Sequence, residues 1–162
     1  MYLISRFSLF LVLALTCFAP LADESMRALE KRGTLLRLSG DFVSAKIIET
    51  ELIARYTQPA GHVFALNSII TQLTWDETQT RYDDALIKHA SKTLEWCEPR
   101  LEDEEVGATA NYYCGQTNFV LSFYHALRGS YYKAGKRGAA SIDYLETALA
   151  MDPALIDAKM HL

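Results

Sequence analysis

Histidines, cysteines and clustered carboxylates are the side chains with which this chain could do chemistry, and their spacing limits what that chemistry could be. The histidines (His62, His89, His125 and His161) are scattered and suggest no ligand set, so each reads as a surface or packing residue. The acidic run Glu102-Asp103-Glu104-Glu105 lacks the alternating oxygen ligands and in-register turn glycine of a calcium loop. It reads instead as a solvated loop whose charge favours the N-terminus of a helix beginning near Gly107. No His-Glu-x-x-His, phosphate-binding glycine loop, Gly-x-Ser-x-Gly or Cys-x-x-Cys occurs. The expectation is a protein without catalytic residues, bound metal or cofactor.

Cysteine chemistry depends on compartment, which the N-terminus addresses. Residues 7–18 are an almost unbroken apolar run, preceded by Arg6 and followed by Ala19-Pro20-Leu21-Ala22 and the acidic Asp23-Glu24. A bilayer span needs about 20 apolar residues, but this shorter run suits the central region of a secretory signal. Residues 1–22 are therefore expected to be a signal peptide, and the remainder to be exported to a periplasmic or extracellular space. Ala14-Leu15-Thr16 before Cys17 is a poor lipidation box, so membrane association would need an uncleaved signal or a lipid anchor that the sequence does not favour. With Cys17 removed, Cys97 and Cys114 remain as an even pair in an oxidising compartment. Either they bridge, which requires Cα atoms within about 7 Å, or they are two separately buried thiols. Their spacing fits no zinc grammar.

These residues must be positioned by helices. Half of the chain is apolar and Gly and Pro are few, which argues against disorder. The formal charge of −4, without a lysine or arginine cluster, excludes an electrostatic footprint for nucleic acid. Apolar periodicity predicts helices over 26–38, 43–56, 62–75, 83–96, 108–132 and 138–150. A polar break falls at 98–105, and a further helix opens at Ile156. In the first, Met26, Leu29, Gly33 and Leu36 face one side and Arg27, Glu30, Lys31 and Arg37 the other.

The connections carry a punctuation of their own. Gly129-Ser130-Tyr131-Tyr132, then Ser141, Leu145, Ala148 and Leu149, then Asp152-Pro153, read as Gly-x2-Tyr, small-x3-large and a closing proline. Gly40-Asp41-Phe42-x-x-Ala45 and Tyr82-x-x-Ala85 supply two further small-residue turns, each with a proline fourteen positions beyond its alanine, at Pro59 and Pro99. Gly33-x2-Leu36 stands ahead of Gly40 as Gly129-x2-Tyr132 stands ahead of Lys136. This grammar resembles the tetratricopeptide (TPR) repeat. The first two copies depart from it, with Glu49 and His89 where a large apolar residue is usual, and His125 stands where Trp is typical. From Ala45 to Ala85 is forty residues and from Ala85 to Ser141 fifty-six, against about 34 for the standard repeat. Residues 122–155 are the best match.

The resemblance implies an all-α, right-handed solenoid of antiparallel helix pairs occupying residues 23–162, with about three units and the start of a fourth. Gly129, Tyr132, Ser141, Leu145, Ala148 and Pro153 would be its repeat-packing positions. Ile156 and Leu162 begin an apolar stripe, so the domain is expected to continue past residue 162. In this family the first helix of each pair lines a concave groove, and Asn118, His125 and Arg128 are the corresponding candidates. The implied activity is binding of a protein or peptide. The alternative is an accessory domain of a larger secreted enzyme.

Overall fold

The computed structural model describes residues 24–159; residues 1–23 and 160–162, and with them the expected signal segment, lie outside it. Among the described residues all regular structure is helical: α1 (Met26–Leu38), α2 (Phe42–Arg55), α3 (Ala60–Trp75), α4 (Asp83–Cys97), α5 (Gly107–Leu127), α6 (Tyr131–Met151) and the single-turn α7 (Ile156–Lys159). A 3₁₀ turn, Glu98–Arg100, follows α4. Each helix packs on the next along the chain, and α1 also touches α3, as α3 touches α5.

Two helix connections are built alike. At the end of α1, the Gly40 amide donates to the Arg37 carbonyl (3.1 Å) and the Asp41 amide to that of Leu36 (2.9 Å). At the end of α5, the Gly129 amide donates to Ala126 (3.0 Å) and the Ser130 amide to His125 (2.8 Å). This paired pattern, with the glycine left-handed, is a Schellman cap. Gly40 has φ 84° and Gly129 φ 69°, conformations that a Cβ disfavours. The next helix starts two residues after each glycine, at Phe42 and at Tyr131, and turns in a buried alanine, Ala45 or Ala134. Asp41 adds a side-chain cap, accepting from the Ser44 amide at 3.0 Å.

This moves the expected boundary between the last two long helices. The chain turns at 128–130, so α5 stops short of residue 132 and α6 starts well before 138. Gly129 is therefore the counterpart of Gly40, not of Gly33, and Ala134 rather than Ser141 is the counterpart of Ala45. Tyr132, expected as a packing residue, is 86% exposed on the first turn of α6. Pro59 caps the start of α3, Pro99 lies within the 3₁₀ turn and Pro153 follows the end of α6. All three fall at or just beyond helix ends, where a residue without an amide donor is tolerated.

The core follows the helix order. Leu29, Ala45, Ile48, Leu52 and Phe64 join α1, α2 and α3. Leu66, Leu73, Leu86, Ala90 and Val120 join α3, α4 and α5. On α2, Ile48 and Leu52 are buried, whereas Ile47 and Ile53 are exposed. Along α6, Ser141, Leu145 and Ala148 are buried, and the Ser141 hydroxyl donates to the Gly115 carbonyl of α5 at 2.9 Å.

Candidate functional site

Helices α1, α3 and α5 together line a groove of roughly 610 Å³. Each contributes one helical face: Arg27, Glu30, Thr34 and Arg37 from α1, Phe64 and Asn67 from α3, Tyr112 and Gln116 from α5. The polar side of α1 faces this groove because Leu29 and Gly33, on the other side, are buried. Leu155 and Asp157, the latter on α7, close one end, where Arg27 meets Asp157 at 3.3 Å.

The groove is unevenly charged. Burial raises the Glu30 carboxyl above its ordinary pKa, and the neighbouring Asp157 pushes it the same way, while Arg27 partly offsets both. The Tyr112 and Tyr113 phenols are raised first by burial, with Glu30 adding to it. Arg37 lies seven residues along α1 from Glu30. Its guanidinium stands over the Phe64 ring, 5.5 Å from the centroid. Among the described residues its Nε is buried without a hydrogen-bond partner, and desolvation lowers its pKa.

A second polar cluster lies between α2, α3 and α4. Glu49 is 5% exposed; Lys46 donates to it at 2.5 Å and His89 Nε2 stands 3.8 Å away. His89 Nδ1 and His62 Nδ1 are 3.0 Å apart, so one ring donates and the other accepts. Burial is the main cause that depresses the His89 pKa, to about 4, with His62, Lys46 and Lys88 adding charge repulsion. Burial likewise lowers that of His62. Histidines that look scattered in sequence are thus brought together with a carboxylate by three helices. Among the described residues no three His, Cys, Asp or Glu side chains converge so as to hold a metal ion.

The groove residues expected from the sequence are elsewhere. Asn118 is 2% exposed; its amide donates to the Cys114 carbonyl (2.8 Å) and its oxygen accepts from Arg137 (2.9 Å), joining α5 to α6. His125 is partly buried beside the Tyr124 ring. Arg128 donates to the Glu77 and Gln79 carbonyls (2.7 and 2.5 Å) and to both Asp83 oxygens (3.0 and 2.7 Å). It staples the α3–α4 loop rather than lining the groove, and its guanidinium holds the Asp83 carboxyl below the usual range. The reason is rotational: α5 does turn a face to the groove, but the one carrying Tyr112 and Gln116. The 3/4 spacing of Arg27, Glu30, Thr34 and Arg37 opposite Leu29 is the signal that pointed there.

Cys97 and Cys114 form a disulfide with Cα atoms 5.8 Å apart, tying the end of α4 to the middle of α5 within a buried cluster that includes Val63, Ala110 and Tyr113. Of the repeat-packing positions, Ser141, Leu145 and Ala148 lie in the α5–α6 interface, Gly129 in the turn, and Tyr132 and Pro153 at the surface.

No protein-family model, curated protein or solved structure matches the chain. No helix among the described residues is long and apolar enough to cross a membrane.

Proposed function

We propose that this protein is a non-catalytic helical-repeat scaffold of an exported compartment that holds a protein or peptide segment in the groove along α1, α3 and α5. The architecture in this reading is a right-handed, TPR-like solenoid of antiparallel pairs, α1 with α2, α3 with α4 and α5 with α6. Support comes from the two matching Schellman turns inside the first and third pairs, and from the contacts of α1 with α3 and α3 with α5. The observation that carries the functional reading is the groove itself. Alternate helices present polar and aromatic side chains side by side along it, the chemistry that satisfies a peptide backbone while covering apolar side chains. The disulfide is in keeping with an oxidising compartment.

The test is selection of binders from a random peptide library on the full chain, followed by measurement on Asn67→Trp, which places an indole in the groove. Binders that lose affinity for that variant support the reading. Binders indifferent to it, or no binders at all, refute it.

A further inference from the structure

Arg37 is the groove residue whose interactions the fold leaves incomplete. Its guanidinium stands over the Phe64 ring, 5.5 Å from the centroid, and among the described residues its buried Nε has no hydrogen-bond partner and the side chain forms no ion pair. The side chain is half-buried, and its Nε is shut off from water without an acceptor, which costs free energy; the rest of its planar fork lines the groove and matches a carboxylate. Burial of the side chain weakens its hold on the proton, in keeping with that unmet demand.

The opposite character lies at the other end. Glu30 and Asp157 stand close enough to repel, with Arg27 the nearby cation. A seven-residue step returns to nearly the same helix face, so Glu30 and Arg37 both reach the groove. Their separation along α1 is about 10 Å at 1.5 Å per residue, and about three residues of an extended chain of polyproline II type, whose side chains return to one face every third residue, cover that length. Thr34 and Asn67 line the interval and offer a hydroxyl and an amide to a backbone.

We infer that the groove takes an extended peptide segment with a carboxylate set against Arg37 and a basic group about three residues away set against Glu30 and Asp157. This rests on the peptide-binding reading above. The carboxylate can come from an acidic side chain or from a chain terminus.

Fluorescence anisotropy with alanine hexapeptides tests it on the full chain. One peptide has blocked ends and carries lysine and glutamate three positions apart. A second has glutamine at both positions, a third lysine at both, and a fourth replaces the glutamate by a free C-terminal carboxylate. The lysine–glutamate peptide should bind about tenfold or more tighter than the glutamine one, with the fourth peptide showing which carboxylate source is preferred. Arg37→Gln should remove the share of the advantage due to the carboxylate, Arg37→Lys should retain part of that share, and Glu30→Gln should remove only the share due to lysine. If the glutamine or double-lysine peptide binds as tightly, or Arg37→Gln leaves the ranking unchanged, the charge assignment is overturned while the groove reading stands. If no peptide binds, both fall.

Discussion

Two glycines inside helices should respond to the same substitution with opposite sign. Gly115 lies in the buried middle of α5, where an added Cβ would meet Leu145 Cγ at 2.7 Å and Cδ2 at 2.9 Å, and the Ser141 carbonyl oxygen at 3.3 Å. Gly135 lies on the exposed side of α6, and among the described residues nothing beyond the neighbouring backbone of its own helix stands within 4 Å of its Cβ position. Helix propensity favours alanine over glycine by about 1 kcal/mol at either site. At Gly135 that term acts alone, so Gly135→Ala should stabilise by about 0.5–1 kcal/mol. At Gly115 the methyl group needs Leu145 to move, yet that side chain is fully buried. Overpacking of this kind costs about 1–3 kcal/mol. Separating the helices would also stretch the Ser141–Gly115 hydrogen bond, worth about 1 kcal/mol. The net expectation for Gly115→Ala is destabilisation by about 1–2 kcal/mol, and for Gly115→Val considerably more. Urea denaturation reads both as shifts of midpoint at constant slope. If Gly115→Ala stabilises as much as Gly135→Ala, α5 and α6 do not approach each other as described.

Replacing Cys97 and Cys114 by Ala should cost about 3 kcal/mol of stability from the restored freedom of a loop with sequence separation 17; peptide mapping of unreduced protein should recover the two segments joined, and separate peptides would contradict the bridge. His89 binds its proton less readily in the folded chain, at a pKa of about 4, than at its ordinary 6.5. Its contribution is therefore fully present above about pH 6.5 and lost as pH falls towards 4. Discounted for its 15% exposed side chain, the loss is roughly 1–2 kcal/mol, to which His62 adds in the same direction. His89→Gln should flatten stability measured between pH 7 and 4, and an unchanged slope would refute the assignment. Arg128→Met should speed amide exchange across residues 77–83 and cost about 1 kcal/mol while leaving groove binding intact; weakened peptide binding with unchanged exchange would restore Arg128 to the groove.

Local order was legible in the residues. The apolar spacing of Met26, Leu29, Gly33 and Leu36 predicts a helix over 26–38, and α1 has those bounds. The Gly40-Asp41-Phe42 turn could be read because a left-handed glycine followed by an aspartate cap is a property of a few neighbouring residues. Gly-x2-Tyr at 129–132 suggests a helix running through to residue 132, whereas Gly129 turns the chain between α5 and α6. The aligned Gly-x-aromatic-x-x-Ala of residues 40–45 and 129–134 is the stronger pattern, since the backbone needs the glycine at the cap.

Helix existence and the all-α class belong to the sequence alone, because periodicity and capping act within a few turns of one chain segment. The tertiary structure decided which face of each helix meets which neighbour. A polar residue on α5 or at its C-cap can join α6, staple a distant loop or line a groove. Asn118, Arg128 and Gln116 do one each, and nothing in their types distinguishes them. Likewise His62, Glu49 and His89 lie on three separate helices, and only packing makes them one cluster. Contacts between distant segments depend on the relative rotation of whole helices, which the packing of neighbours sets and local spacing does not.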